Sequence, residues 1–284
     1  MAEFNRYRSI YSHDELMERL RKLKHFALDM DGTIYLGQRV FDFAIKFIDN
    51  LRASGRRVLF FTNNASHTTE FYYSKLARLG FSPREGEIMT SGDVTIEYLK
   101  NHRAGKSVYL LGMDELVGDF KRRGIDLVDE NAERCDIVVS SFDTTLTYEK
   151  LNTACRLVRG GAEYLSTHPD FNCPVENGFI PDSGAIAAFI TASTGKVPTY
   201  FGKPYKQTVE MIEEVCRVDR KDMVIFGDRL YTDIALGKKH GVCAVLVLSG
   251  ETTTQDLEKA SSAEKPDFVF DSLDDLNKLM FEVK

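Results

Sequence analysis

Short apolar runs alternate with amphipathic stretches along almost all of this 284-residue chain, and that alternation restricts the fold more than any other feature. HFALDMDG (25–32) reads as a buried strand ending in acids. FDFAIKFIDNLRASG (41–55) reads as a helix with Ala44, Phe47, Ile48 and Leu51 on one face and Gly55 as its stop. RVLFFTNN (57–64) is a second buried strand, and TEFYYSKLARLG (69–80) a second helix closed by glycine. A βαβα rhythm of this kind implies a parallel sheet covered by helices on both faces.

The rhythm returns near the C-terminus, with strands in GKVPTYFG (195–202), KDMVIFGD (221–228), CAVLVLSG (243–250) and DFVF (267–270). Helices are expected in YKQTVEMIEEVCRV (205–218), YTDIALGKKHG (231–241) and the segment after DFVF. The middle has its own strands, KSVYLLG, CDIVVSSF and AEYLSTH, and its own helices, ELVGDFKRRG, TYEKLNTACRLVRGG and DSGAIAAFITASTG. A complete inventory there suggests an inserted domain.

Composition excludes several classes. A net charge of −6 gives no basic surplus for gripping a nucleic-acid backbone, so no nucleic acid is expected as partner. Five widely spaced cysteines with no CxxC pair argue against a disulfide framework or a zinc site. The N-terminal stretch has no apolar run suited to a signal peptide, and no segment approaches membrane-spanning length. The expected address is the cytoplasm, without a membrane partner. GTIYLGQR lacks both G-x-G-x-x-G and the P-loop lysine, and KRRG (121–124) and KKHG (238–241) read as solvated helix ends.

Open parallel sheets bind ligands beyond the carboxyl ends of their strands, and four polar clusters are expected there. Asp29 and Asp31 leave the first strand at i and i+2. Carboxylates so placed need a cation or a shared proton, and a hard oxygen site suits Mg²⁺. Alternatively, Asp31-Gly32 is a turn and Asp29 a cap. Thr62, Asn63 and Asn64 follow VLFF and offer a neutral anion cradle, or a simple helix cap. Lys203 supplies a point charge to an anion, or stands solvated before a helix. Asp228 ends the apolar run MVIF, with Asp233 one helical turn later; they complete a metal site or cap and favour a helix start. Each bland reading is adequate singly. Four such clusters on one edge of one sheet are better explained by a single site.

In this order DMDGT, TNN, GKP and GDRLYTD resemble the four motifs of the haloacid dehalogenase superfamily of aspartyl phosphatases. DMDGTIYLG, FFTNNAS, TSG (90–92), LTYEKL (146–151) and GDRLYTDIALGKKHG narrow the resemblance to the NagD and 4-nitrophenylphosphatase branch, over roughly residues 24–284. The resemblance implies an α/β fold. A Rossmann-like parallel-sheet core (1–91 plus 198–284) carries a smaller inserted α/β cap (92–197). By position, Asp29 would be the nucleophile that forms an aspartyl-phosphate, and Asp31 the general acid/base. Thr62, Asn63, Asn64 and Lys203 would bind the phosphoryl group. Mg²⁺ would rest on Asp29, the Asp31 carbonyl and Asp228, with Asp233 in support.

The implied function is hydrolysis of a small phosphorylated metabolite. A phosphotransferase or mutase on the same intermediate, or a non-catalytic metabolite-binding protein, is the alternative. A homodimer through the cap is common in that branch. His168 departs from the Asn or Asp usual in relatives, and Cys173 stands where vitamin B6 phosphatases place a substrate-contacting His, which argues against pyridoxal phosphate. Asp182 opens a cap helix, where it either faces the cleft or, as an ordinary residue there, serves as the N-cap.

Overall fold

The computed structural model describes residues 13–175 and 178–282. The N-terminal stretch through residue 12, and Glu176 and Asn177 of the cap segment 167–178, lie outside them. Helix α1 (His13–Lys22) precedes β1 (His25–Leu28), and a small hairpin, β2 (Tyr35–Leu36) and β3 (Arg39–Val40), leads into α2 (Asp42–Ala53). Then come β4 (Arg57–Thr62), α3 (Thr69–Arg78), β5 (Ile88–Thr90), α4 (Ser91–His102), β6 (Ser107–Leu111), α5 (Asp114–Arg122) and β7 (Asp126–Leu127). The chain continues through β8 (Ile137–Ser140), α6 (Tyr148–Arg159), β9 (Glu163–Ser166), the hairpin β10 (Asn172–Val175) and β11 (Gly178–Pro181), and α7 (Ser183–Thr194). It ends with β12 (Thr199–Tyr200), α8 (Lys206–Cys216), β13 (Met223–Gly227), α9 (Ala235–His240), β14 (Cys243–Val247), α10 (Thr254–Lys259), β15 (Phe268–Phe270) and α11 (Leu273–Asn277).

These elements form two compact units. The first holds the described residues to Phe61, Tyr73–Ile88 and Ile212 onward; the second holds Thr62–Tyr72 and Met89–Met211. The six-stranded sheet runs in the order β15-β14-β13-β1-β4-β5. Strand β1 lies parallel between β13 and β4, with His25–Leu28 opposite Met223–Phe226 and Arg57–Phe60. Chain order reverses across β1, which is where an open sheet leaves a crevice beyond its strand ends. Phe26 stacks on Phe226 at 5.6 Å, and Phe47 of α2 meets both edge-on. The buried residues of α2 are Ala44, Phe47, Ile48 and Leu51, the face that its periodicity predicts.

The second unit is built on a five-stranded sheet, β12-β9-β8-β6-β7, with parallel pairing throughout. Tyr109, Val138, Leu157, Tyr164, Ile186 and Ile190 share its core. One expectation is corrected here. GKVPTYFG does not join the sheet of β1: its two-residue strand β12 pairs with β9, Thr199 opposite Leu165. Three of the four polar clusters therefore follow strands of the six-stranded sheet, and Lys203 follows one of the five-stranded sheet. The basic helix ends are solvated at Lys121, Arg122 and Lys239, as expected, while one half-buried base of each is drawn into an ion pair. Arg123 pairs with Asp93 and Glu97, and Lys238 with Asp267 at 2.8 Å. Among the described residues no helix is long and apolar enough to cross a membrane.

His25 opens β1 with 2% of its surface exposed, and neither ring nitrogen has a hydrogen-bond partner among the described residues. Burial, with Arg57 adding to it, lowers its pKa from 6.5 to about 4. The unfolded chain then takes up a proton near pH 6.5 that the folded chain refuses until about pH 4. Stability is full above pH 6.5 and falls as pH drops through that window, by at most about 3 kcal/mol. Equilibrium denaturation of wild type and His25→Phe between pH 4 and 7 checks this; the variant should lose this part of the slope.

Candidate active site

In the first unit, Asp29 leaves the end of β1 with its N–H donated to the Phe226 carbonyl at 2.9 Å. The chain then turns sharply. The Met30 carbonyl accepts from Ile34 N–H (3.0 Å), and Gly32 N–H donates to the Tyr35 carbonyl (2.7 Å). Gly32 has φ +84°, and a Cβ there would overlap the Asp228 carboxylate. Asp228 follows β13, and Asp233 follows it within a π-helical turn, Leu230–Ile234, a distortion often found at functional sites. Their side chains are 2% and 1% exposed. A Cβ at Gly227 would overlap Asp233, and one at Gly250 would overlap Asp228. Glycine backbone thus packs directly against both buried acids.

Asp29, Asp228 and Asp233 each bring a carboxylate oxygen within 4.8 Å of the others. At an effective dielectric near 20, two such charges repel by about 3 kcal/mol, so the cluster favours a cation. Its donors are all hard oxygens, the set that Mg²⁺ selects. Glu251 N–H donates to Asp228 Oδ2 (2.7 Å), and Thr232 Oγ1 to Asp233 Oδ2 (3.0 Å), which fixes both carboxylates. The carboxylate of Asp31 is exposed and stands outside this group.

Cations border the acids. Burial opposes the charge of Arg229, but Tyr231, Glu251, Asp29 and Asp228 outweigh it and raise its pKa. Its Nε lies 2.8 Å from Glu251. The Lys75 ammonium sits over the Tyr35 ring at 4.3 Å, and burial lowers its pKa against a smaller opposing effect of Asp31. Sequence reasoning missed Arg229 and Glu251. The signal available was SGE (249–251) directly after the apolar run of β14, another strand end on the same sheet edge.

The second unit holds the other candidates. Thr62 Oγ1 accepts from Asn64 N–H (3.2 Å), and Asn64 Oδ1 accepts from the Ser66 N–H (2.8 Å) and hydroxyl (2.6 Å). These bonds shape the turn after β4. Asn63 does something different. Its Oδ1 accepts from Lys203 N–H (2.7 Å), while its Nδ2 donates to the Lys203 carbonyl (3.0 Å) and to Asp170 (3.1 Å). Both amide hydrogens are used within the protein, so the side chain acts as a clamp on the Lys203 backbone. Lys203 itself is 4% exposed. His168 and Asp182 also meet here: Nε2 lies 2.8 Å from Asp182 Oδ1, which also accepts from Ser183 N–H as the cap of α7. Cys173 pairs in register with Ile180 in the β10–β11 hairpin.

A family model for haloacid dehalogenase-like hydrolases matches residues 26–126, and a second HAD-hydrolase-like model matches residues 200–276. An acid sugar phosphatase of Staphylococcus saprophyticus is 35% identical over 91% of this chain and 98% of its own. A second, from Staphylococcus haemolyticus, is 34% identical over 89% of this chain and 95% of its own. Among solved structures, a 4-nitrophenylphosphatase from Thermotoga maritima is 42% identical with a TM-score of 0.86, covering 92% of this chain and 99% of that one. A chain named for NagD is 40% identical with a TM-score of 0.81, covering 90% of this chain and 98% of that one.

Proposed function

This chain belongs to the haloacid dehalogenase-like hydrolases and is a phosphoric monoester hydrolase of their NagD-like branch, and from that premise we propose magnesium-dependent hydrolysis through an aspartyl-phosphate on Asp29. The observation that carries the proposal is the convergence of Asp29, Asp228 and Asp233 at the ends of adjacent strands. Asp29, the Asp31 carbonyl and Asp228 would hold the ion, with Asp233 fixed behind them. Bound there, magnesium would offset the repulsion between a carboxylate and a phosphate dianion.

The chain's own residues then divide the work. An Asp29 oxygen attacks phosphorus in line, a P–O bond to the enzyme forms, and the ester P–O bond breaks. Asp31, exposed and two residues on, gives a proton to the leaving oxygen. It then takes one from the water that attacks phosphorus, and the bond to Asp29 breaks as inorganic phosphate departs. Thr62 and the Asn64 backbone are assigned to the phosphoryl oxygens together with the Lys203 ammonium. Asn63 serves through its own N–H and by clamping Lys203.

We assign the unit built on the five-stranded sheet, which holds residues 92–197, to the role of cap that selects the leaving group. The substrate class is small phosphorylated metabolites, with sugar phosphates first because the curated relatives are acid sugar phosphatases. The five cysteines stand unbridged, which supports a cytoplasmic address, and a homodimer through the cap completes the proposal.

Phosphate release from sugar phosphates and from 4-nitrophenyl phosphate tests this reading. With Mg²⁺ both should be hydrolysed without an added acceptor, and chelation should remove the activity. Undiminished release after chelation would contradict it.

A further inference from the structure

His168 lies wholly inside the second unit, at 0% exposure, and no step proposed above uses it. Both of its ring nitrogens have hydrogen-bond partners. Nε2 faces Asp182 Oδ1 at 2.8 Å, so that nitrogen carries a hydrogen. Nδ1 faces Thr167 Oγ1 at 3.0 Å and Ser91 Oγ at 3.4 Å. The Thr167 hydroxyl donates to Ser141 Oγ (3.0 Å), and the Ser91 hydroxyl donates to the Asn63 carbonyl. Nδ1 is thus held between two hydroxyls that bond onward to Ser141 and to Asn63. Burial disfavours a charged ring, but Asp182 and Asp170 outweigh it and raise the pKa.

A buried ion pair is a weak device for stability, because removing two charges from water costs about as much as their attraction returns. Its value is in fixing neighbours, and the neighbours here are specific. Through Ser91 the His168 ring reaches Asn63, whose side chain holds both the N–H and the carbonyl of Lys203. A second contact is direct. Gly202 has φ +74°, and a Cβ there would stand 2.8 Å from both the His168 Cβ and Asn63 Oδ1. The backbone just before Lys203 therefore rests against His168.

We propose that His168 and Asp182 form a buried positioning pair that fixes Asn63 and the Gly202–Lys203 backbone, and so sets the place of the Lys203 ammonium for the phosphoryl group. The inference rests on the reading of Lys203 as a phosphoryl-binding residue. The pair touches no substrate; it acts through Asn63 and Lys203.

A double-mutant cycle on the magnesium-loaded full chain tests it, with vanadate inhibition per active site and the kcat against KM split as readouts. His168→Ala should weaken vanadate inhibition about tenfold, the scale expected when a binding group loses its registration. In a Lys203→Ala background the same change should cost less than about twofold, since contacting residues in one network are not additive. His168→Asn, which still fills much of the space below Gly202, should restore part of the loss, and Ser91→Ala should act in the same direction as His168→Ala. If His168→Ala does not fold, His168→Asn and Ser91→Ala carry the same cycle.

Equal losses in both backgrounds would overturn the proposal, as would a lower Tm with unchanged vanadate inhibition. Weaker inhibition by Lys203→Ala with none by any His168 variant would overturn the positioning role alone. Unchanged inhibition by Lys203→Ala would remove the reading of Lys203 and this inference together.

Discussion

Asp29→Asn is expected to lower phosphate release by about 10⁴-fold or more, the scale on which removal of an enzymatic nucleophile acts, while the Tm of the metal-free protein stays within a few degrees. The substitution keeps the shape of the side chain and leaves the main-chain bond from Asp29 N–H to Phe226 intact. It also removes one of three converging negative charges, so the metal-free protein loses repulsion and no packing. Steady-state phosphate release with saturating Mg²⁺, beside a thermal melt, separates the two effects. Retention of more than about a hundredth of wild-type turnover would be incompatible with a nucleophile at this position.

Asp228→Asn is expected to remove the stabilisation that Mg²⁺ confers on the fold. An ion that binds only the folded state at 100 times its Kd adds about 2.7 kcal/mol. For a chain of this size that amounts to roughly 5–10 °C in Tm, seen in the transition of the unit containing β1 and β13. The variant should melt at or above the temperature of the metal-free wild type and should not respond to Mg²⁺. Its turnover should fall by about 10²-fold or more, because the charge on the phosphoryl oxygens is then less well offset. Shape is not the cause: asparagine fits the space that Gly32 and Gly250 leave around the carboxylate, and its amide oxygen can still accept from Glu251 N–H. A magnesium-dependent shift in Asp228→Asn equal to that of wild type would contradict the assignment.

Much of this was legible in the sequence, for physical reasons that differ from element to element. Strands β1, β4, β13 and β14 are buried apolar runs, as parallel strands covered on both faces must be, and their ends located Asp29, Thr62 and Asp228 without reference to tertiary structure. Helix α2 declared its inner face through spacing alone. Partnership between strands was not legible. Nothing local in Thr199–Tyr200 says that β12 pairs with β9, so Lys203 was expected on the wrong sheet. Two-residue strands such as β2, β3 and β7 carry too little pattern to be seen, and the π-helical turn that seats Asp233 looks like an ordinary first helical turn.

The same limit applies to the polar residues. Asn63 was singled out by its place after a strand, but nothing local shows that its side chain clamps the Lys203 backbone, a relation spanning 140 positions. Asp182 does cap α7, but its charge also holds a histidine. Gly32 reads as a turn residue and Gly227 and Gly250 as the ends of strands, whereas two buried carboxylates fill the space their missing side chains leave.

The most direct test is to find where the phosphate rests in mid-reaction. Enzyme, Mg²⁺ and radiolabelled substrate would be mixed, quenched in acid within the first turnover, and digested to locate the label. A hydroxylamine-sensitive acyl phosphate is expected on the peptide containing Asp29, absent in Asp29→Asn. Label on any other residue, or full turnover with no labelled protein at any quench time, would contradict it.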